Sequence, residues 1–180
     1  MGVLILLALP ELRSRWELDR LESQGDRCFR AGDAVGAEVA WVNVLAADPG
    51  RAGTRNRLAV LYMNEGRFDD SEELLLEGVA GAPRVVSFQY NLGLLYYMQH
   101  RHDEALVCLD NVLAKSPLHS EVHFLKGAIF QQLGREEEAR AEFIRELNVD
   151  PATPEAWGEV LDRDMELSRK LLARIQRQHE

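Results

Sequence analysis

Histidine and carboxylate side chains are the residues of this 180-residue chain that could bind a metal ion. His119 and His123 are four residues apart, a spacing that places two side chains on one face of a helix. Zinc needs a third and a fourth ligand of good geometry, and Glu121 would point to another side of that helix. His100 and His102 fall in an earlier turn. Because the spacing matches no metal motif, we expect exposed histidines at helix ends and no metal site.

Acidic pairs and runs are the second candidate for chemistry, because paired carboxylates can act as acid and base. They are Asp69-Asp70, Glu72-Glu73, Asp103-Glu104 and the run from Glu136 to Glu138. Each falls at the start of a predicted second helix of a repeat, where carboxylates interact favourably with the helix dipole. This recurrence indicates a structural role.

No nucleophile or cofactor motif completes an active site. The chain lacks the Gly-x-Ser-x-Gly nucleophile turn, a phosphate-binding loop and the His-Glu-x-x-His zinc motif. Its two cysteines, Cys28 and Cys108, are interpreted as buried free thiols, which suit a reducing compartment. We therefore expect no enzyme, no small-molecule substrate, no cofactor and a cytoplasmic location.

The elements that position these residues follow a regular period. Pro49, Pro83, Pro117 and Pro151 are each 34 residues apart, and a fixed period of this length is the signature of a repeat architecture. Placing the prolines at position 32 divides the chain into four units. The units are residues 18–51, 52–85, 86–119 and 120–153.

Each unit carries the pattern of a helical hairpin. Positions 4, 7, 8 and 11 share one face of a first helix, and positions 20, 24, 27 and 28 share one face of a second. Small residues at positions 8 and 20 allow the two helices to approach closely. Glycine at position 15 can take the left-handed conformation that ends a helix. One hairpin cannot cover its own apolar face, so the units must stack.

The pattern resembles the tetratricopeptide repeat family over residues 18–153. The third unit carries the motif most fully, with Leu92, Gly93, Tyr96, Ala105, Leu109 and Pro117. The departures, interpreted as local repacking, are Gln24, Gly78, His100, Lys126 and Glu146. The resemblance implies an all-α fold, an α-solenoid in which tandem hairpins form a right-handed superhelix, and a function in binding other proteins.

The resemblance also implies a concave groove, which the first helices line through positions 2, 5, 6, 9, 12 and 13. In the first unit these positions hold Asp19, Glu22, Ser23, Asp26, Phe29 and Arg30. We predict a peptide-binding groove at Asn56, Val60, Met63, Asn64, Tyr90, Asn91, Leu94, Tyr97, Met98, Phe124, Ala128 and Gln131. Tyrosine and methionine on such a surface suit adaptable contact with an apolar peptide or helix.

Two classes of partner are not expected. Family members that clamp the C-terminal carboxylate of heat-shock chaperones need lysine, asparagine and arginine at set positions, and only Asn91 matches. The net charge of −9 argues against nucleic acid, which would need a basic face.

The two ends of the chain fall outside the repeats. Residues 154–180 predict a C-terminal capping helix, since solenoid ends need a cap with a polar outer side. Residues 1–17 combine an apolar run at residues 3–9 with the start of a lead-in helix, and we expect Leu12, Trp16 and Leu21 of that helix to face inward. The run is shorter than the about 20 residues that span a bilayer and lacks a basic leader. We interpret it as docking on the first repeat. The alternatives are a degenerate targeting or anchoring segment, with an exported or membrane-associated location, and self-association.

Three functions fit these patterns. The first is a protein-interaction adaptor or scaffold that binds an apolar peptide or helix in the groove. The second is an assembly or secretion chaperone for an exported or membrane-complex subunit, which would release its partner on assembly. The third is a self-assembling structural oligomer built through the N-terminal run or the open face of the array.

Overall fold

The computed structural model describes residues 15–150, and eight α-helices follow one another within that range. They are α1 (Arg15–Arg30), α2 (Ala34–Ala47), α3 (Ala52–Asn64), α4 (Phe68–Gly81), α5 (Val86–Met98), α6 (His102–Lys115), α7 (Val122–Gln132) and α8 (Glu136–Val149). No strand occurs between residues 15 and 150, which confirms the predicted all-α class. The helices pack in consecutive pairs, α1 on α2, α3 on α4 and α7 on α8, and Gly93 of α5 lies against Leu109 of α6. Consecutive helices therefore form the predicted hairpins.

The chain divides within α5 into two compact structural units. We call them unit 1 and unit 2, and we refer to the 34-residue sequence units as the first to fourth repeats. The described part of unit 1 is residues 15–88, with α1 to α4 and the start of α5. The described part of unit 2 is residues 89–150, with the rest of α5 and α6 to α8. The apolar run at residues 3–9 and the predicted cap over residues 154–180 lie outside the described residues. None of the helices between residues 15 and 150 has the length and apolarity needed to cross a membrane.

Glycine at position 8 lets the two helices of a hairpin approach closely. A Cβ atom on Gly25 would lie 2.5 Å from Nε1 of the buried Trp41, and one on Gly127 would lie 2.5 Å from Cε1 of the buried Phe143. Distances this short are repulsive, so a larger residue would push the ring away and separate the helices. This confirms the expectation that position 8 must be small.

The turn inside each hairpin uses a left-handed residue at position 15. Gly32, Gly66 and Gly134 have φ angles of +79°, +74° and +70°. His100 holds the same conformation in the third hairpin, with φ +59°. Glycine adopts this conformation without strain, whereas a residue with a Cβ atom pays about 1–2 kcal/mol. The backbone of the turn is therefore conserved between hairpins even where the residue is unfavourable.

An arginine at position 16 recurs in the second, third and fourth hairpins. Its guanidinium lies over the aromatic ring at position 11 and pairs with a carboxylate three residues later, at position 19. The sets are Arg67 with Tyr62 and Asp70, Arg101 with Tyr96 and Glu104, and Arg135 with Phe130 and Glu138. In the first hairpin Asp33 takes this position, and its carboxylate accepts a hydrogen bond from the N–H of Gly36 at 2.9 Å. Each set joins the end of a first helix to the start of a second.

The first turn of α1 differs from the sequence prediction. Trp16, which we expected to face inward, is 66% exposed, and Leu21 is half-buried. Leu18 and Gly25 are the buried residues of α1 and lie two turns apart on one face. Trp16 is about 200° around the helix from Leu18, which explains its exposure.

Candidate functional site

The predicted groove residues lie on three of the first helices. They are Asn56, Val60, Met63 and Asn64 on α3, Tyr90, Asn91, Leu94, Tyr97 and Met98 on α5, and Phe124, Ala128 and Gln131 on α7. Met63 and Asn91 are only 4% and 8% exposed, so neither offers a surface to a partner. The other ten are half-buried or exposed.

In unit 2, an apolar stripe follows one face of α5. Leu94, Tyr97 and Met98 are separated by three and four residues, the spacing of neighbours on a helix surface. Leu94 and Tyr97 are half-buried, and Met98 is 43% exposed. Neighbouring apolar side chains with exposed surface form a patch, and contiguous apolar patches can mark sites of protein binding. We call these three residues the α5 stripe.

Two hydrogen bonds hold α5 beside α7. Near the start of α5, Tyr90 Oη donates to Glu121 Oε2 at 2.9 Å. Near its end, Gln132 Nε2 donates to Tyr97 Oη at 3.0 Å. Leu94 lies between these two contacts, Tyr97 makes the second of them and Met98 follows it, so the α5 stripe is held on a preorganised surface.

Tyr90 is a fixed part of this arrangement. Its ring stacks on His119, with ring centroids 5.2 Å apart and an interplanar angle of 22°. Burial raises the pKa of Tyr90, and the hydrogen bond to Glu121 and the charges of Glu121 and Glu146 raise it further. The hydroxyl therefore stays a neutral donor to Glu121.

A buried carboxylate of α8 caps α7. Glu146 has no exposed surface. Its Oε1 accepts from the N–H of Glu121 at 2.7 Å, and its Oε2 accepts from the N–H of Phe124 at 3.2 Å. Helix N-termini present unpaired N–H groups and a positive dipole end, so a carboxylate there satisfies both. Glu121 itself has φ +70°, which turns the chain into α7.

A second buried carboxylate of α8, that of Glu142, contacts three basic side chains. Its Oε2 shares a hydrogen bond with His123 Nδ1 at 2.7 Å, its Oε1 lies 2.6 Å from Arg145 Nη1, and Lys126 Nζ is 3.6 Å away. Burial would raise the pKa of Glu142, but the hydrogen bond from His123 and the charges of Lys126 and Arg145 together hold it below the ordinary value.

His119 and His123, which the sequence analysis considered as metal ligands, have different partners. His119 precedes α7 and stacks on Tyr90, while His123 lies on α7 and bonds Glu142. From residue 15 to residue 150, no group of three or more His, Cys, Asp and Glu side chains could hold a metal ion. The two rings therefore do not share a face of one helix.

In unit 1, charged residues join the first helices α1 and α3. Glu22 accepts from Thr54 Oγ1 at 2.6 Å and from Arg51 Nη1 at 2.8 Å, and it also pairs with Arg57. Arg51 contacts Asp19 as well. Burial would raise the pKa of Glu22, but the hydrogen bonds from Thr54 and Arg51 and the charge of Arg57 lower it. We call these five residues the Glu22 cluster.

A cavity of about 280 Å³ lies beside the Glu22 cluster. Phe29 from α1, Trp41 from α2 and Val60 from α3 form its apolar walls, and Asn56 and charged side chains surround the opening. Of the wall residues, only Val60 belongs to the predicted groove. Phe29 occupies position 12 of the first repeat, as the predicted groove residue Tyr97 does in the third. This shared position is the sequence feature that could have identified Phe29 as a wall residue.

The repeated hairpin and its turn chemistry define the family. Models of the tetratricopeptide repeat match residues 29–87, 85–116 and 105–156, which together cover more than two thirds of the chain. The chain belongs to the tetratricopeptide repeat family. Such repeats use their surfaces to bind other proteins and are generally not enzymes. The chain is therefore of the protein-interaction scaffold class.

Solved structures with the same fold include MamA, with 22% identity, a TM-score of 0.71, and coverage of 86% of this chain and 96% of that one. MamA 41-end from Desulfovibrio magneticus RS-1 is 13% identical, with a TM-score of 0.71 and coverage of 89% and 93%. A tetratricopeptide repeat protein from Parabacteroides merdae is 19% identical, with a TM-score of 0.69 and coverage of 79% and 57%. At these identities the likeness concerns the fold alone. No curated protein matches the chain by sequence.

Proposed function

We propose that the chain is an adaptor that holds an apolar peptide or helix of a partner protein on its first helices. The observation that carries the proposal is the α5 stripe, Leu94, Tyr97 and Met98, which is half-exposed and lies where two hydrogen bonds fix α5 beside α7. Methionine and tyrosine adapt to differently shaped apolar groups, and a fixed surface loses little entropy on binding.

Polar groups beside the stripe support the binding of a peptide backbone. Gln131 is exposed on α7, and Ala128, one turn earlier, is small enough to let a chain approach. An amide side chain both donates and accepts hydrogen bonds, as does a peptide group. These residues would orient the partner, while the stripe provides most of the affinity.

The test begins with peptides selected from a random display library on the immobilised full-length protein. Their affinities are then measured by fluorescence anisotropy for the wild type and for Leu94→Glu combined with Met98→Glu. We expect binding to weaken about tenfold or more, because two charges replace the apolar contact. Met98→Glu alone, on an exposed side chain, should weaken binding by a smaller factor without disturbing the fold.

The matched control is Val107→Glu on α6, where the side chain is 61% exposed in the same unit. It adds a charge to an apolar surface position of a second helix and should leave affinity within about twofold. Circular dichroism should show equal helicity and a cooperative melt for all variants. Equal losses in Val107→Glu and Met98→Glu, or none in either, would mean that the partner does not bind the α5 stripe.

A further inference from the structure

The cavity in unit 1 is lined by Phe29, which is exposed, and by Trp41, which is buried behind the surface. The Phe29 and Trp41 rings have centroids 5.6 Å apart, tilted by 45°. Gly25 leaves room for the indole, since a Cβ atom there would lie 2.5 Å from Trp41 Nε1. Val60 closes the side formed by α3. Cavities for whole small ligands span about 300–1,000 Å³, so a cavity of about 280 Å³ suits a single large side chain.

Most of the charge around the opening is already paired. Trp41 Nε1 donates to Asp26 Oδ1 at 3.2 Å, and Arg57 Nε lies 3.1 Å from the same oxygen. Arg57 also pairs with Glu22. Asp26 and Arg57 therefore balance each other, and neither is available to select a charged ligand.

Among the charged residues that line the opening, Arg30 has no ion pair with any carboxylate of residues 15–150. Its Nε donates to the backbone oxygen of Asp26 at 3.1 Å, which fixes the side chain at the rim. Its other N–H groups have no partner between residues 15 and 150, and no carboxylate of that range pairs with it. A guanidinium presents five N–H donors suited to a carboxylate, so the rim lacks one negative charge.

We propose that this pocket takes a bulky apolar side chain of a partner polypeptide, and that a carboxylate next to that side chain pairs with Arg30. The proposal rests on the protein-binding function above and names the partner chemistry that unit 1 selects. The apolar walls bury the side chain, which supplies affinity. The Arg30 pair supplies selection, because a polypeptide without the carboxylate leaves the guanidinium unpaired.

The peptides selected on the wild type should carry a leucine-sized or aromatic residue with Asp or Glu within two positions. Val60→Trp fills the pocket and should weaken their binding about tenfold or more. Arg30→Glu inverts the rim charge and should weaken it about fivefold, with the difference shrinking in high salt. The control is Arg27→Glu, one turn earlier on α1, which is also exposed and pairs with no carboxylate in residues 15–150. It should leave binding within about twofold.

The outcomes separate this proposal from the function on which it rests. Peptides that are insensitive to Val60→Trp and Arg30→Glu but sensitive to Met98→Glu overturn the pocket and leave the adaptor function standing. Peptides insensitive to all of these changes overturn both. Selected peptides without an acidic bias, or equal losses in Arg27→Glu and Arg30→Glu, overturn the role of Arg30. A wild-type dimer in sedimentation that Val60→Trp dissociates would show a second copy as the occupant and also overturn the proposal.

Discussion

The leading helix of unit 1, α1, and the leading helix of unit 2, α5, carry different chemistry at the same repeat positions. At position 5, α1 has Glu22 and α5 has Tyr90, and at position 9, α1 has Asp26 and α5 has Leu94. Unit 1 consequently joins α1 to α3 with ion pairs, whereas unit 2 joins α5 to α7 with tyrosine hydrogen bonds. The hairpin requires small residues where helices touch and a left-handed turn, and it leaves these surface positions free to acquire binding chemistry.

Position 27 differs between the second and the fourth repeat for another reason. In the second repeat it is Gly78, where a Cβ atom would lie 2.4 Å from Cε1 of the buried Phe88. In the fourth repeat it is Glu146, whose carboxylate caps α7. Gly78 has no side chain, and this leaves room for the ring of Phe88. Glu146 has a buried carboxylate, which accepts hydrogen bonds from the N-terminus of α7.

The largest effect should come from Glu146→Ala. The substitution removes the carboxylate that accepts from the N–H groups of Glu121 and Phe124 and leaves a cavity where the fully buried side chain was, so we expect the free energy of unfolding to fall by about 3 kcal/mol. Urea unfolding followed by circular dichroism measures the change.

The control for that experiment is Glu77→Ala, on the exposed surface of α4, where the carboxylate lies 3.6 Å from Arg55. A surface pair of this kind contributes at most about 1 kcal/mol. If Glu146→Ala cost no more than Glu77→Ala, the buried carboxylate would not be capping α7.

A smaller effect should follow Glu22→Gln, which removes the central charge of the Glu22 cluster. We expect a loss of about 1–2 kcal/mol near neutral pH, since the amide keeps part of the hydrogen bonding. The pKa of Glu22 is lowered below its ordinary value of 4.5 in the folded chain. Its stabilisation is therefore fully present above about pH 4.5 and disappears as the pH falls through the folded-state pKa.

Urea midpoints of wild type and Glu22→Gln, measured between neutral and acidic pH, test this dependence. The difference should also shrink with added salt, which screens charges. Glu73→Gln, at an exposed residue of α4 in the same unit, should show no comparable change. A Glu22→Gln difference that grows toward acidic pH would contradict the assignment of the ion pairs.

The smallest effect should be a gain in stability from His100→Gly. Glycine removes the strain of the left-handed turn, at the expense of a more flexible unfolded chain, so we expect about 0.5–1 kcal/mol of stabilisation. Gly66→Ala, at the matching turn of unit 1 with φ +74°, should destabilise by about 1 kcal/mol. Thermal unfolding of the two variants checks the opposite signs, and changes of the same sign would contradict this reading of the turns.

The sequence period predicts whatever each repeat requires locally. Gly25 and Gly127 recur because every hairpin needs close contact, and both were identified at position 8. Arg67, Arg101 and Arg135 are likewise 34 residues apart. Their recurrence is a signal of a common role that the sequence prediction did not use.

The sequence period does not predict contacts between residues that are far apart in the chain. The contacts of Glu146 lie 25 and 22 residues away and depend on the left-handed residue Glu121. Exposure also varies at one repeat position, since Phe29 is exposed and Met63 is buried although both occupy position 12. Neighbouring hairpins decide such burial, and a single repeat does not encode it. The sequence period therefore places the predicted groove residues on α3, α5 and α7, but it does not predict how exposed each of their side chains is.

Hydrogen–deuterium exchange with and without a selected peptide tests most directly whether the first helices hold the partner. Bound peptide should slow exchange in α5 and α7 and leave α6 unchanged, because ordering and burial protect the contacted helices. Leu94→Glu combined with Met98→Glu should remove most of that protection at the same peptide concentration, and Val107→Glu should retain it. Protection confined to α6 or α8, or protection that is unchanged in the double variant, would contradict the assignment of the binding surface to the first helices.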